Sequence, residues 1–199
     1  MTHNNNVSLP TQKPLPPLVQ SLISRYPAKE DFLSDYNASN MQKYAKVPDR
    51  CVLGTAPTLT TIELAYGHVV GVQWIMTLLV HCSEFSGAKN KINTFQLRTL
   101  AEKISLRYSH LKASEIMLFF EKLESGDFGR FSWENFDPLR ILEAFRPFMD
   151  YRAEILDKEE SRLRDIAMEE ARRNAVPCPP EIRQRLDQLF AQNPSQRND

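Results

Sequence analysis

The sequence is poor in cysteine and glycine, and its charges cancel. Its cysteines, Cys51, Cys82 and Cys178, are three in number and far apart in a chain of 199 residues. An odd, widely spaced set does not form a disulfide framework, and it predicts a reducing compartment such as the cytoplasm. With 25 basic and 25 acidic residues, the formal net charge is zero. A partner attracted by charge must therefore meet a local patch.

Long apolar segments are also missing. The longest apolar run, "VVGVQWIMTLLV" at residues 69–80, contains Gln73 and is too short to cross a bilayer as a helix, so it predicts a buried core helix. The first residues, "MTHNNNVSLPTQKPLPP", show no basic region followed by an apolar stretch. We therefore expect no secretory signal and no membrane partner.

Sequence signatures of catalysis and metal binding are lacking. The triplet Asp127-Phe128-Gly129 matches a magnesium-binding motif of protein kinases, but no Gly-rich phosphate loop and no His-Arg-Asp motif accompany it. The Gly-x-x-Gly spacing of Gly126 and Gly129 resembles the backbone clamp of KH domains, but Asp127 at its tip would repel phosphate. Gly-x-Ser-x-Gly, Cys-x-x-Cys and His-x-x-x-His are absent. We expect no enzymatic activity, no cofactor and no metal.

The hydrophobic pattern predicts an all-α fold, because no stretch alternates with the period of a β-strand. We expect a compact helical domain with a proline-rich N-terminal arm and a long charged C-terminal helix. The predicted divisions are an extended or disordered arm at 1–17, short helices with a linker at 18–58, a helical core at 59–149, and a charged helix with a short terminal helix at 150–199. Within the second division, residues 46–58 are the linker because of their proline and glycine content.

One central helix is predicted over residues 61–85, which are apolar on nearly all faces. Thr60 and Glu63 have the spacing of a capping box at its start. Gly67 and Gly71 lie four residues apart within it, which would let a neighbouring helix approach closely.

Further helix ends have local signals. Asn93 with Gln96 is a second capping pair, and Gly126 is suited to end the helix before it. Asp137-Pro138 predicts the start of a helix that runs to about residue 174 and is kinked by Pro147.

Basic residues are concentrated between Ser86 and Ser114, where Glu102 is the single acid. Such a segment can track a phosphate backbone, and it makes nucleic acid a candidate partner. The alternative is a solvated face that pairs with the acidic segment 115–137. The candidate nucleic-acid-binding residues are Lys89, Lys91, Arg98, Lys103, Arg107 and Lys112.

Two other features predict a protein partner. Aromatic residues in the turn at 126–133 should fold back under it, with two buried and Trp133 partly exposed. The charged helix at 150–174 carries a thin apolar stripe, which suits docking onto a partner or a homo-oligomer; a brace within the chain is the alternative. The candidate partner-binding residues are Phe128, Arg130, Phe131, Trp133 and Arg152.

Residues 60–155 resemble an uncharacterised helical family of phages and mobile elements from anaerobic gut bacteria, a family defined by a domain of unknown function. The pattern is Tyr-x-x-Leu-Lys-x-x-Glu, an apolar pair, Gly-x-aromatic-Gly-basic, and a later helix ending in an aromatic and Arg. The matching residues are Tyr108, Leu111, Lys112, Glu115, Phe119, Phe120, Gly126, Phe128, Gly129, Arg130, Phe131, Phe148 and Arg152.

The resemblance implies no known activity. The setting of such proteins on mobile elements implies a role in replication or maintenance of the element, as a helicase-loader-like accessory protein in the host-cell cytoplasm. We therefore expect a non-enzymatic helical adaptor. The alternatives are a protein that binds DNA directly through residues 89–112 and a structural or packaged phage protein.

Overall fold

The computed structural model describes residues 14–129, 136–175 and 179–192. Within these ranges the chain forms helices and turns and no strand, which confirms the all-α prediction. One isolated antiparallel bridge joins Thr58 to Lys112. Most of the predicted N-terminal arm lies outside the described residues, and the first helix begins at Pro17.

Ten α-helices and one short 3-10 turn follow one another along the described chain. Their bounds are α1 Pro17–Arg25, α2 Lys29–Asp35, the 3-10 turn Ala38–Asn40, α3 Met41–Ala45, α4 Pro48–Leu53, α5 Leu59–Tyr66, α6 His68–Phe85, α7 Thr94–Arg107, α8 Ala113–Ser125, α9 Pro138–Arg173 and α10 Pro180–Gln192.

Helix α4 corrects the prediction of a linker at residues 46–58. Pro48 occupies the first helical position, where its fixed φ favours the helix and its missing N–H costs nothing. Cys51 and Val52 on the inner face are buried. Pro48, which counts toward the predicted linker by composition, instead starts a helix.

The predicted central helix is in fact two helices, separated at Gly67. This glycine has φ +95°, a conformation that ends α5 and that L side chains rarely adopt. The N-cap of α5 is Thr58 rather than Thr60, since the Thr58 hydroxyl accepts the Thr61 N–H at 3.2 Å. At Gly71 the expected close approach is present: an added Cβ would lie 2.9 Å from Cγ of Glu63 in α5.

The other predicted helix ends are confirmed. The Asn93 side chain accepts the Gln96 N–H at 2.8 Å at the start of α7. Gly126 ends α8 in the left-handed conformation with φ +83°. Asp137 accepts the Leu139 N–H at 2.9 Å at the start of α9, and α9 continues through Pro147. Each of these signals acts within one turn of the chain.

Two aromatic clusters dominate the core. In the first, the Phe32 ring contacts those of Tyr36 and Trp74, with centroids at 4.9 and 5.6 Å. Trp74 donates its indole N–H to the Tyr36 carbonyl oxygen at 2.7 Å, which joins α6 to the segment after α2. In the second, Phe145 of α9 stacks on Tyr108 and on Phe119, with centroids at 4.0 and 3.7 Å. The clusters place α6, α7, α8 and the first half of α9 around one buried interior.

The chain divides into two units, the first ending at Leu156 and the second beginning at Asp157. The first contains α1 to α8, the first half of α9 and the whole core cluster. The second contains the end of α9 and all of α10.

Replacement of Gly126 by alanine tests the left-handed helix end. No atom lies within 4 Å of an added Cβ, so the change acts through the backbone conformation. We expect Gly126→Ala to lower the free energy of unfolding by about 1 kcal/mol, measured by urea denaturation. Ser125→Ala, at an exposed helical position next to it, is the control and should change stability by less than about 0.5 kcal/mol. Equal losses in both variants would contradict the assignment.

Candidate functional site

A buried carboxylate stands at the start of α8. Glu115 has no solvent-exposed surface. Its Oε2 accepts the Lys112 backbone N–H at 2.7 Å, and its Oε1 accepts Nε of Arg152 at 2.6 Å. One carboxylate thus closes the first turn of α8 and holds α9 against it.

Two neighbours of Glu115 attach α4 to α8. The Lys112 ammonium donates to the carbonyl oxygens of Val52 and Gly54, the latter at 2.7 Å. The Ser114 hydroxyl donates to the Cys51 carbonyl oxygen at 2.7 Å. These carbonyls belong to the last turn of α4 and the residue after it, where backbone acceptors lack partners within the helix. The short helix α4 is therefore fixed from its C-terminal end.

A cavity of about 340 Å³ lies beside this attachment. Arg25 of α1, Lys43 of α3 and Arg50 of α4 are exposed side chains on its wall. Tyr36, Cys51 and Ser114 are buried parts of the same wall. The remaining lining residues are Tyr44, Val47, Gly54, Thr55 and Ala56. The cavity thus has a cationic opening and an uncharged interior.

Burial keeps the titratable groups inside the cavity neutral. It raises the pKa of the Cys51 thiol to about 11, with a further increase from the charge of Glu115. Burial also raises the pKa of Tyr36 and of Tyr44. At neutral pH both phenols stay protonated, and Cys51 is a poor nucleophile.

The described residues of the predicted partner-binding set have contacts within the first unit. The Phe128 ring, half-buried, lies 5.9 Å from that of Phe119 and 6.2 Å from that of Phe148, measured between centroids. Arg152 is the cation paired with Glu115. Arg130, Phe131 and Trp133 lie outside the described residues, as does the predicted partial exposure of Trp133.

The predicted nucleic-acid-binding residues are spread along α7 and beyond both its ends. Lys89 and Lys91 precede the helix, and Lys112 follows it; a helix of 14 residues is about 20 Å long. Lys112 is held by the α4 carbonyls. In the helix, Arg98 pairs with Glu102 at 2.9 Å.

Lys103 and Arg107 are exposed on one side of α7. The Arg107 guanidinium lies 5.8 Å from the centroid of the Tyr108 ring. The basic segment therefore includes two exposed cations on one helix face, and the other members of the set lie elsewhere or have internal partners.

Helix α10 carries an apolar face that its own unit does not cover. Ile182, Leu186, Leu189 and Phe190 are between 42 and 59% exposed. At 100° per residue these side chains fall within an arc of about 100°. Pro180, Ala191 and charged or amide side chains occupy the rest of the circumference.

The end of α9 has a thinner stripe. Leu163 and Ile166, three residues apart, are 52 and 41% exposed. Ile155, an apolar residue eight positions before Leu163 on the same helix, is buried in the first unit. The apolar residues of α9 are thus buried at Ile155 and exposed at Leu163 and Ile166.

Sequence reasoning missed the role of Glu115 and the cationic cavity. From the sequence, Glu115 is only one position of the family pattern, and Arg152 is a candidate partner-binding residue. Their positions are 37 residues apart and no local spacing connects them. The three cavity cations belong to three separate helices, so their convergence has no motif either.

Comparison with known proteins finds one family model that matches part of the chain, and it indicates no activity. Residues 91–181 match the model of a family of unknown function, DUF6633. This stretch overlaps the segment whose resemblance was described above and includes Glu115 and Arg152. No curated protein and no solved structure matches the chain.

The described helices and side chains include neither a candidate membrane span nor a candidate metal site. None of these helices combines the length and apolar character needed to cross a membrane. Among the same residues, His, Cys, Asp and Glu side chains do not gather in groups of three that could hold a metal ion.

Substitution of Arg152 tests the buried ion pair. Arg152→Met would leave the Glu115 carboxylate buried without its cation. We expect the free energy of unfolding, measured in urea at pH 7, to fall by about 3 kcal/mol. The double variant Arg152→Met with Glu115→Leu should be destabilised by less than the sum of the two single changes, because the uncompensated charge is gone.

Arg146→Met is the matched control for this cycle, since Arg146 is exposed on the same helix. It should change stability by less than about 0.5 kcal/mol. Equal losses for Arg146→Met and Arg152→Met would show that the buried pair contributes nothing specific.

The buried thiols provide a further prediction. A thiol with a pKa of about 11, as for Cys51, is about one part in a thousand thiolate at pH 8, and Cys82, at about 12, is less ionised still. We expect both to resist iodoacetamide at pH 8 in the folded protein and to react readily in urea, as measured by mass spectrometry of the peptides. Modification of Cys51 at equal rates in both conditions would contradict its burial.

Proposed function

We propose that this protein is a non-enzymatic helical adaptor that binds a protein partner through its second unit. The carrying observation is the exposed apolar arc of α10, formed by Ile182, Leu186, Leu189 and Phe190. The positions i, i+4, i+7 and i+8 are the pattern by which a helix lies in the hydrophobic groove of another protein.

The arc is larger than a scatter of single apolar residues. Four large side chains on one short helix each keep more than two fifths of their surface exposed. Covering them with a partner would release about 25 cal/mol for each Å² of apolar surface removed from water. Solvent-exposed apolar patches of this kind mark protein interaction sites.

Local ion pairs support the helical state of the end of α9. Arg162 contacts Glu159 with two hydrogen bonds of 2.7 Å, and Arg164 contacts Glu160 at 2.8 Å. These pairs span three and four residues, the spacings that stabilise an isolated helix. Leu163 and Ile166 are thus presented on a helix with its own stabilising contacts.

The biological setting of the proposal comes from the resemblance of residues 60–155. It supports an origin on a phage or mobile element and a role beside DNA replication, in the manner of a helicase loader. Neither buried group favours a catalytic role. The Glu115 carboxylate is paired with Arg152, and the Cys51 thiol is un-ionised at neutral pH.

The test replaces the apolar arc by charge in the full-length protein. We expect the double variant Leu186→Glu with Leu189→Glu to lose at least tenfold in recovery of one specific protein when tagged protein is captured from its native host and analysed by quantitative mass spectrometry. The physical reason is that two carboxylates cannot be buried in an apolar groove without a partner charge.

A matched control is Leu64→Glu with Leu106→Glu, which changes two exposed leucines of the first unit. Recovery of the partner should be unchanged in this control. Equal recovery with both double variants would refute the adaptor proposal. So would a dimer, measured by light scattering, that the α10 variant alone converts to a monomer, because the arc would then bind a second copy of the chain.

A further inference from the structure

We propose that the cavity between α1, α3 and α4 binds a small phosphorylated ring compound of the nucleotide class. The site lies in the first unit and does not depend on the adaptor function of the second. Its wall combines three cations with two tyrosine rings.

The cavity wall carries positively charged side chains that form no ion pair with a described carboxylate. Arg25, Lys43 and Arg50 line the cavity, and among its described lining residues none is acidic. No described carboxylate forms an ion pair with any of the three. Lys43 donates to the neutral Asn40 side chain at 2.7 Å. The Arg25 guanidinium lies over the Tyr26 ring, 5.1 Å from its centroid. Cations that line a concave surface without an ion-pair partner favour a phosphate or another multivalent anion.

Two acids lie near this wall without lining it. The Asp35 carboxylate accepts the Tyr26 hydroxyl at 2.7 Å, and its charge adds to the effect of burial in raising the pKa of Tyr36 and of Tyr44. Glu115, which is paired with Arg152, adds in the same way to the raised pKa of Cys51. The residues that line the cavity therefore include three cations and no acid, although the whole chain is neutral.

The tyrosines provide a surface for a flat ring. The rings of Tyr36 and Tyr44 are stacked at 6.0 Å between centroids with 23° between their planes. Tyr36 is buried and Tyr44 is half-buried, so the pair extends from the core to the cavity. Stacking of a nucleic base on an aromatic side chain contributes about 1–3 kcal/mol and accepts any base.

The size and rigidity of the cavity suit a mononucleotide. Its volume of about 340 Å³ is near the lower limit of the range for small-molecule sites, about 300–1,000 Å³. Lys112 and Ser114 fix the end of α4, and the Cys51 thiol donates to the Tyr44 carbonyl oxygen at 3.4 Å. The wall that carries Arg50 and Tyr44 is thus held before a ligand arrives.

The test is calorimetric titration of the full-length protein with adenosine monophosphate, adenosine diphosphate, adenosine and inorganic phosphate. We expect both nucleotides to bind, with adenosine and phosphate each at least tenfold weaker, because each supplies half of the recognition. The affinity for the nucleotides should fall as sodium chloride is raised. Absence of nucleotide binding at millimolar concentration would overturn the proposal.

Charge-removing variants place the binding in the cavity. Arg50→Gln and Lys43→Gln should each weaken nucleotide binding by about tenfold or more, the loss expected for one charge-assisted hydrogen bond. Tyr44→Leu should weaken binding of the nucleotide and leave binding of inorganic phosphate unchanged. Thermal denaturation of each variant shows whether it is folded. If Arg50→Gln or Tyr44→Leu is unfolded, the nucleotide affinity of Lys43→Gln, a change at an exposed position, decides the test.

Lys103→Gln on α7 is the control for general surface charge. It should leave nucleotide binding unchanged. An equal loss in Lys103→Gln and Arg50→Gln would overturn the assignment to the cavity. Binding of a single-stranded oligonucleotide without binding of the mononucleotides would also overturn it, because it would assign the cations to a nucleic-acid surface.

Discussion

The burial of the Glu115 carboxylate is the constraint on which the arrangement of the first unit depends. A carboxylate removed from water loses several kcal/mol of hydration, so it persists only with strong compensation. Arg152 supplies the charge and the first turn of α8 supplies a backbone N–H. Both donors must be in place together, which fixes α9 against α8. The neighbouring Lys112 and Ser114 then hold α4, and the cationic cavity exists because α4 is held there.

Features set by neighbours in sequence were predictable, and features set by distant residues were not. The Asn93 cap, the left-handed Gly126 and the Asp137 cap each involve contacts within three residues, so the local pattern sufficed. The apolar pattern on both sides of Gly67 predicts one continuous helix. It does not show the break there, because glycine is compatible with both the helical and the positive-φ conformation. Helix α4 was not predicted, because its stability comes from contacts with residues about 60 positions later.

In the candidate sites, too, local features were predictable from the sequence and features that depend on packing were not. A short terminal helix is predicted from the sequence, but only burial shows that the apolar arc of α10 is uncovered by its own unit. The basic segment at 89–112 was visible as a run of charge, yet Arg98 and Lys112 in it have partners within the chain. The cations of the cavity, Arg25, Lys43 and Arg50, form no run in sequence and meet through packing alone.

The separation of Glu115 from Arg152 also orders events during translation. The carboxylate is made 37 residues before its cation, which at about 5–20 residues per second is a delay of about 2–7 seconds. The first aromatic cluster, complete by Trp74, can form within that time. The α8 carboxylate cannot be buried until α9 has left the ribosome, so a nascent chain that stops before Arg152 must keep Glu115 in water. The contact between Glu115 of α8 and Arg152 of α9 therefore forms only after nearly all of the first unit has been synthesised.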